Sequence, residues 1–320
     1  MAIKNLFQHF PTIKSTDYKE MLAETGLDLV VHKRNLYYAD SLGVTRENPE
    51  KVAIARISDG AFLGTVGKDF GLNQYAQTYE FAEALTFQEG AEYVSGGIIG
   101  KGERAFLSFK TGEKITLPGG DEIENYFYIA TGHDGQQAID VIPAPLRTIN
   151  NTVLRMPESR GCGFRIRHTK YVDNHIAKAR QSINKVKNYW ATYQKSFDYL
   201  SKTRLTDGQL NDYLKMVVEG KEESSRAENI REEIRNIYLK DRMIVAFPAT
   251  HNTLLGAYFS VVQYCDSENI VVRKSKNDRK DATTCRIISM IDGNAAQRKA
   301  DGFAFALQML HKMSGVRITI

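Results

Sequence analysis

The hydrophobic period of this chain changes once, across Arg147–Lys170 (RTINNTVLRMPESRGCGFRIRHTK). Upstream, apolar residues come in short runs separated by turn residues; downstream, they recur every three or four residues over long stretches. A period near two builds strands and a period near 3.6 builds helices. The sequence therefore predicts an α+β fold: a twisted antiparallel β-meander with a packed helix in the N-terminal half, then a long helix and a helical C-terminal half.

In the first half, VAIARI (52–57) and FLGTVG (62–67) flank Ser58-Asp59-Gly60-Ala61, and Asp-Gly supplies the positive φ of a tight hairpin turn. A helix is expected next, capped by Asn73, with Tyr75, Tyr79, Ala82 and Leu85 at helical spacing. YVSGGIIG (93–100), RAFLSFK (104–110), EKITL (113–117), ENYFYIATG (124–132) and QAIDVI (137–142) then alternate with glycine-bearing turns, as an antiparallel meander does. Nearer the start, TDYKEMLAETG predicts a short helix capped by Thr16 and stopped by Gly26, and DLVVHK a strand.

From Asp173 onward, Ile176, Ala179, Ile183, Val186, Trp190, Tyr193, Phe197 and Leu200 make a seam at spacings of three and four. Such a helix packs either on its own domain or between subunits. Further helices are expected at 207–218, 225–239, 251–265 and 293–313, and the polar run RKSKNDRKDATT (273–284) reads as an exposed loop. This divides the chain into a sheet domain, 1–172, and a mainly helical region packed on it, 173–320; one continuous domain is the other reading.

Charge follows the same divide. Residues 1–146 carry 13 Lys and Arg against 20 Asp and Glu, and residues 147–320 carry 30 against 18. A basic half suits a polyanionic partner if its charges share a face, and otherwise is a solvated surface. The three cysteines, Cys162, Cys265 and Cys285, have neither zinc-ligand nor disulfide-framework spacing, and read as reduced thiols. No signal-peptide core and no membrane-length apolar run is present, so the expected location is the cytoplasm.

Catalytic signatures are weak. Gly96-Gly97-Ile98-Ile99-Gly100-Lys101-Gly102 lacks the leading glycine and the hydroxyl of a phosphate loop and lies between strands, so it reads as a hairpin turn. His133-Asp134-Gly135 also reads as a turn. Glu122 and Glu124 would share a strand face while Asp121 would not, too few carboxylates for a nuclease metal site. His168 and His175, among basic neighbours, suit phosphate contact better than metal. No G-x-S-x-G elbow occurs. The expectation is a non-catalytic protein with no metal and no cofactor.

The strongest functional signal is basic. Arg147, Arg155, Arg160, Arg165, Arg167, Lys170, Lys178, Arg180, Lys185 and Lys187 are opposed over 147–187 only by Glu158 and Asp173. Asn150 and Asn151 can donate to phosphate or sugar oxygens, and Tyr171 offers a ring for base stacking; Trp190 sits on the helical seam and reads as core. Cations tracking a backbone beside stacking rings suit single-stranded nucleic acid. The candidate contacts are Arg147, Asn150, Asn151, Arg155, Arg160, Arg165, Arg167, Lys170, Tyr171, Lys178, Arg180 and Lys185.

Several segments, in order, resemble a known family: GLDLVVHKRNLYY (26–38), KVAIARISDGAFLGTVGKDFGLNQYAQTYEFAEAL (51–85), ENYFYIATGHDGQQA (124–138), PLRTINNTV (145–153) and HNTLLGAYFSVVQYCD (251–266). Together they look like the phage/plasmid-like proteins built on domain of unknown function 932. Where that family often has a cysteine before the Asn-Thr pair, this chain has Asn150, which argues against a catalytic thiol there. The resemblance implies a mobile-element product acting in the host cytoplasm. Its element order is similar to that of phage single-strand annealing proteins of the RecT, Redβ and Erf kind. By that analogy, single-stranded DNA is the expected partner, with homo-oligomers, ATP independence and host or phage replication proteins nearby. The alternatives are an oligomeric phage assembly or virion-associated protein without DNA chemistry, a host-directed interaction protein and, more remotely, a metal-dependent nuclease.

Overall fold

Two antiparallel sheets form the N-terminal half of the computed structural model, which describes residues 3–80, 91–157, 164–171, 184–218, 224–267 and 281–318. The smaller sheet is ordered β1 (Val31–Ala39), β2 (Thr45–Arg56), β3 (Phe62–Gly67). Its β2–β3 hairpin turns at Asp59-Gly60, as expected, with Gly60 at φ 71°. Gly64, opposite Ile54, has no room for a side chain, because a Cβ there would lie 2.6 Å from the Asp134 Cα.

The larger sheet contains β4 (Glu92–Ile99), β5 (Arg104–Thr116), β6 (Glu122–Gly132), β7 (Ile139–Pro143), β8 (Leu146–Arg147), β9 (Thr152–Val153) and β10 (Phe164–Ile166). Its main path runs β10-β7-β6-β5-β4, with β8 and β9 leaving from β6. The meander is present with one correction. RAFLSFK and EKITL are one strand, β5, with an irregularity between Lys110 and Lys114 and Gly112 at φ 78°. The Thr-Gly pair there marks a bulge, not a hairpin.

Two helices cover one face of the larger sheet. Helix α1 (Tyr18–Thr25) starts at Asp17, not Thr16: the Asp17 carboxylate accepts from Lys19 N and Glu20 N, and Gly26 ends the helix at φ 69°. Helix α2 covers 75–80 of the described residues. Asn73 does not cap it. Its side chain instead accepts from the Thr78 hydroxyl, and the Gln74 carbonyl takes the first helical bond. Ala82 and Leu85 lie outside the described residues.

Strand alternation gives the larger sheet two apolar faces. Ala105, Leu107, Phe109, Phe127, Ile129, Ile139 and Val141 point toward α1 and α2, meeting Met21, Leu22, Tyr75 and Tyr79. Phe106, Tyr126, Tyr128, Ala130 and Ile142 point the other way, toward Phe7, Phe10, Ile287, Met290 and Ile291.

The C-terminal half contains α3 (Asn184–Lys202), α4 (Asp207–Val217), α5 (Ser225–Lys240), α6 (Arg242–Val245), α7 (Leu254–Asp266), α8 (Ala282–Asp292) and α9 (Asn294–Ser314). Every residue of α7 is buried. Gly256 lets it pass the preceding loop, since a Cβ there would sit 1.9 Å from the Thr250 carbonyl oxygen. Trp190, Tyr193, Phe197 and Leu200 of the predicted seam pack in the same core as α7 and Phe303 of α9. For these positions the seam is internal, which removes them as a subunit contact; Ile176, Ala179 and Ile183 lie outside the described residues. The polar loop expected over 273–284 ends earlier than predicted. Asp281 caps α8 through Thr284 N, and Cys285, Ile287, Met290 and Ile291 form its buried stripe. The sheet also enters the helical core, through Ile115, Leu117, Ile123, Leu154 and Met156.

Candidate nucleic-acid interface

The basic stretch divides into an inner and an outer part. Arg147 is fully buried. Its guanidinium meets Asp121 Oδ2 at 2.7 Å, donates to the Met243 carbonyl at 2.6 Å and lies 4.7 Å from the centre of the Phe259 ring. Burial raises the Asp121 carboxyl above its ordinary range, and the guanidinium opposes that shift. Arg155 is also buried: Nη1 donates to the Tyr128 hydroxyl at 2.7 Å and to the Ile291 carbonyl. Both arginines were expected as nucleic-acid contacts. Both instead fasten the sheet to the helices, because carboxyl, hydroxyl and carbonyl partners converge on them from elements remote in sequence.

The two asparagines are likewise structural. Asn150 donates to Gln263 Oε1 at 3.1 Å and accepts from the Thr152 hydroxyl at 2.8 Å. Asn151 takes a left-handed φ of 53°, and its carbonyl accepts from Asn5 Nδ2. Its side chain is exposed but does not line the groove described below.

The outer part is 164–171. Strand β10 pairs with β7, which places Arg165 opposite Asp140 and buries Ile166. Arg165 is half-exposed and held by carboxylates, with Nε 3.2 Å from Asp140 and Nη2 3.1 Å from Asp292. That pairing takes it out of the set of free cations. Arg167, Lys170 and Tyr171 are exposed. Arg160, Lys178 and Arg180 lie outside the described residues. Lys185 lies in the first turn of α3, with its side chain outside the description.

Beyond β10 the chain crosses to the smaller sheet. Thr169 bridges Phe70, Gly71 N donates to the His168 carbonyl at 3.1 Å, and the His168 ring stacks on Phe70 at 4.8 Å. His168 Nδ1 lies 3.3 Å from the Gly71 carbonyl and Nε2 3.3 Å from the Thr131 hydroxyl. Burial lowers the pKa of His168, so this imidazole is a neutral brace and not the phosphate contact expected of it. His175 lies outside the described residues.

This crossing makes a groove of about 850 Å³, lined among others by Pro49, Lys68, Phe70, Thr169, Lys170 and Tyr171. Lys170 Nζ sits 5.1 Å from the centre of the Tyr171 ring. Lys33 Nζ donates to the Lys68 carbonyl at 3.1 Å, and Lys51 pairs with Gly67 at the end of β3. Lys68 and Lys170 therefore line a strip with two aromatic rings, Lys33 and Lys51 stand beside it, and exposed Arg167 just precedes it in the chain; Glu50 and Asp69 moderate the charge. Rings there can stack bases and ammonium groups can meet phosphates. Sequence reasoning missed Phe70 and the three β-sheet lysines because they belong to the acidic half. The one local signal was Gly-Lys-Asp-Phe-Gly after the hairpin, whose Gly67, Lys68 and Asp69 are exposed.

The other motifs behave as turns and braces. Gly100 and Gly102, both at positive φ, form the β4–β5 turn. His133 is buried, stacked on Tyr75, with Nε2 2.9 Å from the Asn73 carbonyl; burial depresses its pKa to about 4. Asp134 pairs with Arg104 at 2.7 Å. Glu122 and Glu124 do share a face, where Lys114 bridges them. Among the described residues, no three His, Cys, Asp or Glu side chains are grouped to hold a metal, and no helix is long and apolar enough to cross a membrane.

Among known proteins, the family model described as a domain of unknown function (DUF932) matches residues 62–287, well over half of the chain. No curated protein and no solved structure matches.

Proposed function

The chain belongs to the DUF932 family, and on that premise we propose that it is a single-stranded DNA-binding accessory protein of a phage or plasmid. It acts without ATP and without catalysis, promotes annealing or recombination as a homo-oligomer in the host cytoplasm, and works beside host or phage replication proteins. One observation carries this reading: Tyr171 and Phe70 share an open groove with Lys68 and Lys170, beside Lys33 and Lys51. A single strand exposes both base faces and phosphates, and a groove with both rings and cations meets both. A duplex hides its base faces, so rings add little to its binding.

The test is a filter-binding titration with single- and double-stranded oligonucleotides at two salt concentrations. The expected result is tighter single-strand binding that weakens steeply with salt. Tyr171→Ala should weaken it by about 1–3 kcal/mol, the usual worth of one stacked base. Absence of binding at low salt refutes the reading. Light scattering with and without oligonucleotide separates it from a purely structural assembly role, for which assembly is independent of DNA.

A further inference from the structure

Strand β1 is an edge. It pairs with β2 on one side and with no strand on the other among the described residues. The open side begins with a substitute for a neighbour. Gln74, just before α2, sets its side-chain amide against Val31: Oε1 accepts from Val31 N at 3.0 Å, and Nε2 donates to the Val31 carbonyl at 2.9 Å. A strand's peptide group makes the same pair of bonds. Alternation along β1 then turns the N–H and C=O of Lys33 and Asn35 to that same side. Those groups meet no backbone partner among the described residues.

The side chains at this edge restrict what can pair with it. His32, Lys33 and Arg34 are consecutive, Lys33 and Arg34 are exposed, and Lys33 reaches over to Lys68. No Asp or Glu lies within Val31–Ala39. A second copy approaching antiparallel would set this basic run against itself, and like charges across a ladder repel. Charged edges guard sheets against self-pairing; the same charges attract an anionic strand. Tyr37 and Tyr38, both well exposed, add ring surface farther along β1.

We propose that the free edge of β1 takes up an extended acidic segment of a partner protein by strand addition. Lys33 and Asn35 supply the ladder, and Lys33 and Arg34 select the charge. The site adjoins the groove at Tyr171, with the Lys33 side chain reaching the groove's rim at Lys68, but its ladder is the backbone of β1 and does not depend on DNA binding.

The probes are short labelled peptides alternating Glu with Val, their Lys-Val counterparts, and a Glu-Val peptide interrupted by proline. Fluorescence anisotropy and amide hydrogen exchange are read together. Only the uninterrupted acidic peptide should bind, slowing exchange at Lys33 and Asn35 by roughly tenfold or more. Asn35→Pro removes one outward N–H at an edge where proline is tolerated, so it should keep the fold and abolish binding. Lys33→Glu with Arg34→Glu leaves the backbone intact and should transfer the preference to the Lys-Val peptide. Tyr171→Ala should leave peptide binding unchanged, whatever it does to DNA. Three results overturn the proposal: no protection at Lys33 and Asn35, binding that survives Asn35→Pro in a folded protein, or binding lost with Tyr171→Ala.

Discussion

Arg147 and Arg155 face inward, Arg167 and Lys170 face outward, and all four belong to one basic stretch of the chain. The inner pair sits where β8, β9 and the strap after them run under α7 and α8, so each guanidinium is enclosed by partners from both halves. The outer pair sits where the chain crosses open ground between two sheets, beside Phe70 and Tyr171. A charge therefore has one of two uses here: it ties elements together, or it remains available to a ligand. Cation density along a sequence adds the two uses together, and only the position of the opposing carboxylates separates them.

The inner use breaks most visibly at Arg147. Arg147→Met leaves Asp121 buried without its cation, and urea denaturation should show a loss of about 3–5 kcal/mol. Arg147→Met with Asp121→Leu should recover most of it, because Asp121 Oδ1 and Arg147 Nη1 already lack partners among the described residues. A loss under about 1 kcal/mol in the single variant would mean that this pair does not hold the halves together.

Acid sharpens the same contrast. His133 titrates at about 4 in the fold, against 6.5 as a free side chain, chiefly because it is buried. Below the free value the unfolded chain takes up a proton that the folded chain refuses. The stabilisation is complete above pH 6.5 and is lost as the pH falls toward 4, by about 3 kcal/mol. Urea midpoints followed from pH 7 to 4 should show this slope, and His133→Gln should reduce it, leaving the parts that the partly buried His168 and His9 add with the same sign.

The outer use should cost stability almost nothing. Arg167→Ala with Lys170→Ala is expected to leave the urea midpoint within about 0.5 kcal/mol of the parent. The same variant should reduce the salt slope of oligonucleotide binding by about two contacts' worth. A destabilised variant with unaltered salt dependence would place both cations with Arg147, in the framework.

The fold was legible where local chemistry decided it. Asp59-Gly60 fixed the hairpin, Gly26 the end of α1, and apolar spacing the long helices. It was harder to read where one residue type serves two local roles. Thr111-Gly112 reads as a turn and is a bulge, and the lysine-rich run before Asp281 hid the start of α8 although Ile287, Met290 and Ile291 were correctly spaced. The site was legible only at Lys170 and Tyr171, with exposed Arg167 just before them. Its remaining parts, Lys33, Lys51, Lys68 and Phe70, reach the groove through strand register and the crossing at Thr169, which no local pattern encodes. The misassigned arginines failed for the same reason, since Asp121 and Ile291 are remote from them in sequence.

Lys299 and Asp266 meet at 2.6 Å, and both also bind the backbone of Val153 in β9, Lys299 at its carbonyl and Asp266 at its N–H. A strand of the sheet, the central helix and the last long helix thus share one buried knot. Neither half can be traded between genomes as a module, because a chimera would have to re-form the bonds between Val153 of the sheet half and the Asp266–Lys299 pair of the helical half. Recombination between relatives can exchange surface loops freely, but it must carry this knot whole.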